Sequence, residues 1–201
     1  MLGLPKTTEI SKSIFKKNLY LKFNMNEAAK RSFDEDIAKV TIVNEVSPIS
    51  TNIAAGEEVS RFFVVHVVLK RENYSDKNIE LLSKMIAQKM LFVLEYEGRA
   101  VLAVTEGKLL KTQWADIDSL TVPFEGLNLD AVWSKIVSAV LGGEWNENLT
   151  VTENVEHQKE IENIKKEIEK LEKQIKNEKQ PKKKFELVQK MKKLKEKLID
   201  E

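Results

Sequence analysis

Between Met90 and Trp114 the chain reads MLFVLEYEGRAVLAVTEGKLLKTQW: an apolar run, a Glu-Gly turn, a second apolar run, another Glu-Gly turn and a third run. Leu91, Phe92, Val93 and Leu94 leave no polar position for a solvent face, so this run belongs to a strand covered on both sides. Gly98 and Gly107 supply the backbone freedom that tight reversals need. The stretch predicts a three-strand meander, and the rest of the chain must supply layers for both of its faces.

The upstream segments fit that demand. Asn24–Ile37 reads as a helix, with Asn24 as cap, Glu27 at the third helical position, and Ala29, Phe33 and Ile37 recurring every four residues. VTIVNEV, 40–46, is β-branched and reads as a strand whose broken alternation fits either cover on both faces at its start or a bulge near Val43. FFVVHVVL, 62–69, is the expected central strand. A helix capped by Ser75 or Asp76 and carrying Ile79, Leu82, Met85, Ile86 and Met90 follows, so the step into the meander is β-α-β and parallel. Residues 1–23 read as an arm with one or two helical turns around Ile10, Ile14 and Phe15. Downstream, Leu120, Val122 and Phe124 alternate as a short strand, which Pro123 confines to a sheet edge. A helix capped by Asn128 or Asp130 then buries Val132, Trp133, Ile136, Val137, Val140 and Leu141 until Gly142 and Gly143 stop it. This predicts an α+β domain over 1–145, with a mixed sheet and packed helices.

After a polar linker, 146–152, the pattern changes. Ile161, Ile164, Ile168, Leu171 and Ile175 are spaced 3, 4, 3, 4, a coiled-coil seam, and Leu187, Met191, Leu194 and Leu198 continue it at 4, 3, 4. Between them lies NEKQPKKK, and Pro181 suits the first turn of a new helix but not a helix interior. A C-terminal antiparallel coiled-coil hairpin over 153–201 is expected, with a single kinked helix in an intermolecular bundle as its competitor.

Composition excludes several chemistries. Basic residues number 33 and acidic ones 32, so the net charge of +1 is not that of a protein built throughout for nucleic acid. There is no cysteine, and the two histidines, His66 and His157, stand far apart, so no metal site and no cofactor are expected. No basic segment leads into an apolar one at the N-terminus, and no apolar run approaches membrane length, so a cytoplasmic protein is expected.

Three sets of residues could carry chemistry or binding. Glu95, Glu97 and Arg99 on the central hairpin resemble the carboxylate-bearing strands of a metal-dependent nuclease, but Arg99 stands where a lysine would be needed, and arginine stays charged. His66 in the central strand reads as a hydrogen-bonded core residue. The loop SPISTNIAAGEE, 47–58, carries Asn52, Ile53 and Gly56; loops often hold function, although Asn52 capping local backbone groups explains the pattern more simply. The third set is basic: residues 176–197 hold ten lysines against three glutamates, a local +7, while 153–172 hold seven acids against four lysines, a local −3. Arms of opposite sign attract along a hairpin, but Lys179, Lys182, Lys183 and Lys184 exceed that need. They are the candidates for contacting phosphates without sequence selectivity.

LGLP at 2–5, SPISTNIAAGEEV at 47–59, MLFVLEYEG at 90–98, GLNLDAVW at 126–133 and EKQPKKKFEL at 178–187 together resemble, nearly end to end, a bacterial family catalogued as domain of unknown function 4391. The resemblance implies a small protein encoded beside helicase and DNA-methyltransferase components of restriction-like or phage-defence systems, and it assigns no catalytic residues. The expected function is a non-catalytic adaptor that docks a helicase or methyltransferase subunit through the hairpin seam, or a second copy of itself. A DNA-binding or nuclease-like subunit using the basic tip is the alternative.

Overall fold

The computed structural model describes residues 2–142, 145–146 and 149–200, with the backbone alone at 199 and 200. It divides into two units, Met1–Gly142 and Gly143–Glu201.

The first unit is organised on β4 (Lys89–Tyr96), in which Leu91, Phe92, Val93 and Leu94 are all fully buried. β5 (Arg99–Glu106) and β6 (Lys108–Lys111) complete the meander in antiparallel register. Glu97 (φ 48°) and Gly98 (φ 78°) make the first reversal, a pair of left-handed residues whose twist matches the strands they join. On its other side β4 pairs in parallel with β3 (Phe62–Leu69), and the connection carries α4 (Asp76–Ser83), as the β-α-β pattern predicts. β3 pairs antiparallel with β2 (Ile37–Val46), and the register shifts between Ile42 and Asn44, which places the bulge at Val43. β1 (Glu9–Ile14) closes this edge, and β7 (Ala115–Asp116) pairs with β5, giving a seven-stranded mixed sheet.

Helices cover both faces. Toward one, Val65, Val67 and Leu69 of β3, Phe92 and Leu94 of β4, and Val101 and Ala103 of β5 form a single cluster with Leu19 of α1 (Lys16–Lys22), Phe33 of α2 (Glu27–Asp36), and Ile79 and Leu82 of α4. Toward the other lies α5 (Leu129–Leu141), whose Trp133 ring sits 5.2 Å from that of Phe62. Trp133 also donates its indole N–H to Glu106 at 2.7 Å, so its one polar atom is satisfied in a buried site.

Several local expectations in this unit are corrected. The helical turns expected in the N-terminal arm are present as α1, but Ile10 and Ile14 lie before them, in the strand β1. Ile10 and Ile14 are four apart, a spacing that lies on one side in either period, and the unpaired backbone groups of β2 settle the choice. The α2 cap is Asn26, whose side chain accepts from the Ala29 N–H at 2.9 Å; Asn24 is left-handed (φ 45°), a conformation a capping residue does not adopt. Ile37 opens β2 instead of closing α2, and Met90 belongs to β4 instead of to the helix before it, since α4 ends at Ser83. Finally, Leu120–Phe124 form no strand: Thr121 makes one isolated bridge to Leu2, and Pro123 has no N–H with which to extend it.

The second unit is a helical hairpin. α6 (Val151–Asn177) begins inside the stretch read as linker, because Thr150 and Glu153 form a reciprocal capping box. α7 (Pro181–Asp200) starts on the proline as expected. Residues 147 and 148 of the expected linker, Gly143 of the expected helix stop, and residue 201 lie outside the described residues.

Candidate functional site: the helical hairpin and the polar clusters of the sheet

The residues with the chemistry of a nuclease do not converge. Glu95 turns to His66, with its Oε2 2.5 Å from the imidazole Nε2. The parallel register sets Glu95 opposite Val68, two residues beyond His66, so the two side chains meet on one face. His66 is therefore a hydrogen-bonded, half-buried member of the sheet. Glu97 is an exposed turn residue that accepts from the Tyr96 hydroxyl and so holds that phenol above its ordinary value. Arg99 lies 5.8 Å from the Trp114 ring centre and 3.7 Å from Glu72. Among the described residues no three His, Asp or Glu side chains are placed to hold a metal ion.

The loop at 47–58 has a structural task that only the fold reveals. Ser47 and Ser50 form a capping box on a single helical turn, α3 (Pro48–Thr51). Asn52 ends it in the left-handed region (φ 58°), donating its backbone N–H to the Pro48 carbonyl, so the side-chain capping belongs to the serines. Ile53 is half-buried, with its N–H on Thr51 Oγ1 at 3.3 Å. Beyond it the loop wraps the carboxylate of Asp130, in the first turn of α5. Glu57 and Val59 donate their backbone N–H groups to it at 2.7 and 2.8 Å, and Glu58 does so at 3.3 Å. Gly56 borders the same carboxylate so closely that a Cβ there would fall 2.1 Å from Asp130 Cγ. Asn128, not Asp130, caps α5, through the Ala131 N–H.

Another carboxylate, this one fully buried, gave almost no signal in the sequence. Asp36, with no exposed surface, receives Arg71 Nε at 2.6 Å, the Ser75 N–H at 2.8 Å and Asn78 Nδ2 at 2.7 Å. Ser75 is the first residue before α4, so Asp36 ties the end of α2 to the start of α4. Its only sequence signal is an acid ending an amphipathic helix, a position that is ordinarily solvated.

The hairpin is where the remaining candidates lie. Of the seam residues, Ile168 and Leu171 are buried, while Ile161, Ile164, Ile175, Leu187, Met191, Leu194 and Leu198 stay half-exposed. The arms of opposite charge are joined by Lys190–Glu167 at 2.8 Å and Lys195–Glu172 at 2.9 Å. The Lys190 ammonium holds the Glu167 carboxyl below its ordinary value, and the Thr150 backbone and hydroxyl donors do the same for Glu153. Near the tip the arms enclose a groove of about 750 Å³, with Lys170, Lys173, Asn177, Leu187 and Lys190 among its walls. Lys179, Lys182, Lys183 and Lys184 are exposed, and among the described residues none of them pairs with a carboxylate.

A helix-covered mixed sheet followed by a lysine-rich helical hairpin defines a two-unit α+β protein whose most distinctive surface is the hairpin. Residues 2–198 match the family model described as a domain of unknown function (DUF4391), and the chain belongs to that family. No curated protein and no solved structure matches it. No helix among the described residues is long and apolar enough to cross a membrane.

Proposed function

We propose that this protein is a non-catalytic adaptor subunit that docks a partner protein through its C-terminal hairpin. One observation carries this reading. Two helices bury only part of the 3–4 seam, leaving seven of its apolar residues half-exposed. Burying such side chains more fully is favourable at roughly 25 cal/mol per Å², so a further helix laid along the pair gains stability from a surface that already exists. The clustered reactive residues of the first unit are meanwhile engaged in holding the sheet and its connections together. The implied partner, from the family resemblance carried by the sequence, is a helicase or DNA-methyltransferase component of a restriction-like or phage-defence system acting in the cytoplasm.

The test is affinity capture from native cells with the intact chain and with residues 1–149, eluates being treated with nuclease. A helicase or methyltransferase held only by the intact chain is the expected result. Recovery of both forms without any partner refutes the adaptor role.

A second reading rests on the four unpaired tip lysines, which suit sequence-independent contact with DNA phosphates. It requires duplex affinity that falls steeply with salt and disappears when Lys179, Lys182, Lys183 and Lys184 are changed to Glu. Cleavage that depends on a divalent metal would extend it to a nuclease role for Glu95 and Glu97.

A further inference from the structure

α7 carries a second row of contacts on the side away from its seam. Phe185 is 64% exposed and Val188 36% exposed. They stand three residues apart, and Lys192 follows four residues on, so the three form one ridge with the same 3–4 spacing as the seam. Exposed Lys182 and Lys184 flank this ridge, and Glu196, one turn past Lys192, is its carboxylate. The α6 glutamates that neutralise α7, Glu167 and Glu172, are taken by Lys190 and Lys195, and among the described residues no carboxylate pairs with the ridge lysines.

We infer that this ridge docks an acidic amphipathic helix of the partner protein. Phe185 and Val188 are the apolar anchors, and Lys182, Lys184 and Lys192 are the charged rim. An aromatic and a β-branched side chain side by side on a helix match the apolar face of another helix, whereas phosphate contact would leave both facing water. The lysines then select for a helix whose flanks carry Asp and Glu, since a basic or neutral helix would leave the rim charges unbalanced. No arginine lies in α6 or α7, so the bidentate recognition that favours phosphate or nucleobase edges is not available here. This inference rests on the adaptor role and adds to the seam a second contact face and the chemistry of the segment bound there.

The experiment is photo-cross-linking in native cells with the full-length chain bearing Phe185→p-benzoylphenylalanine, followed by sequencing of the attached peptide. The expected product is one helical segment with Asp or Glu flanking an apolar stripe. Its yield should fall roughly tenfold or more in a K182E/K184E/K192E variant whose helical circular dichroism is unchanged. Attachment to nucleic acid overturns the inference. So does capture of a partner by the intact chain with no cross-link at 185, an outcome that leaves the adaptor role standing. A chain that captures nothing overturns both.

Discussion

Gly56→Ala tests whether the 47–58 loop is a clasp on α5. An added Cβ would lie 2.1 Å from Asp130 Cγ and Oδ1 and 2.5 Å from Oδ2, far inside van der Waals contact, so the carboxylate must move by more than 1 Å. A flexible side-chain end could do that at little cost if it were free. Here it is held by the Glu57 and Val59 N–H groups at 2.7 and 2.8 Å, and moving it surrenders both bonds. Hydrogen bonds to a charged acceptor contribute about 1.5–3 kcal/mol each, and partial exposure of this site halves that, so losing both in Gly56→Ala should destabilise by about 1.5–3 kcal/mol. In an Asp130→Ala background the obstruction is gone. Gly56 is not among the residues with positive φ, so alanine there should be neutral or stabilise by about 0.4–1 kcal/mol through the unfolded chain. The sign of the effect should therefore reverse between backgrounds. Urea unfolding followed by tryptophan fluorescence, with Trp133 buried against Phe62, measures both arms of the cycle. An equal cost in the two backgrounds would refute the clasp and return the loop to the list of functional candidates.

Asp36→Ala should cost about 3–5 kcal/mol in the same assay, because it strands Arg71 and Asn78 beside a buried hole and unties α2 from α4. Phe92→Ala, at the centre of β4 with no exposed surface, should cost about 3–5 kcal/mol through a cavity that two packed layers cannot close. Glu167 and Glu153 are held below their ordinary values, so their contribution to hairpin stability is complete above the unfolded carboxylate range and disappears as pH falls through the folded values. Thermal melts of the helical signal should thus fall on acidification below about pH 4.5, and Glu167→Gln should shrink the difference between neutral and acid melts. Removing the hairpin, in a 1–149 chain, should leave the near-ultraviolet signal of Trp133 intact; its loss would mean that the first unit needs the second to fold.

Much of this architecture was legible in the residues because strand and helix periods are local. The unbroken run Leu91–Leu94 required a strand with two covered faces, and the glycine turns required a meander. The broken alternation around Val43 left a bulge as one of two readings, and the 3–4 spacing of Ile161–Ile175 with Pro181 marked two helical arms. What the sequence could not supply were contacts between residues brought together by the fold. Ile10 and Ile14 satisfy both periods, and only the open edge of β2 makes them a strand. Glu95 looked reactive, Asp130 looked like a helix cap and Asp36 like an ordinary helix-end acid until their partners arrived from 29 to 73 residues away. A carboxylate's role is decided by which N–H groups surround it, and those come from parts of the chain that meet only when the sheet assembles.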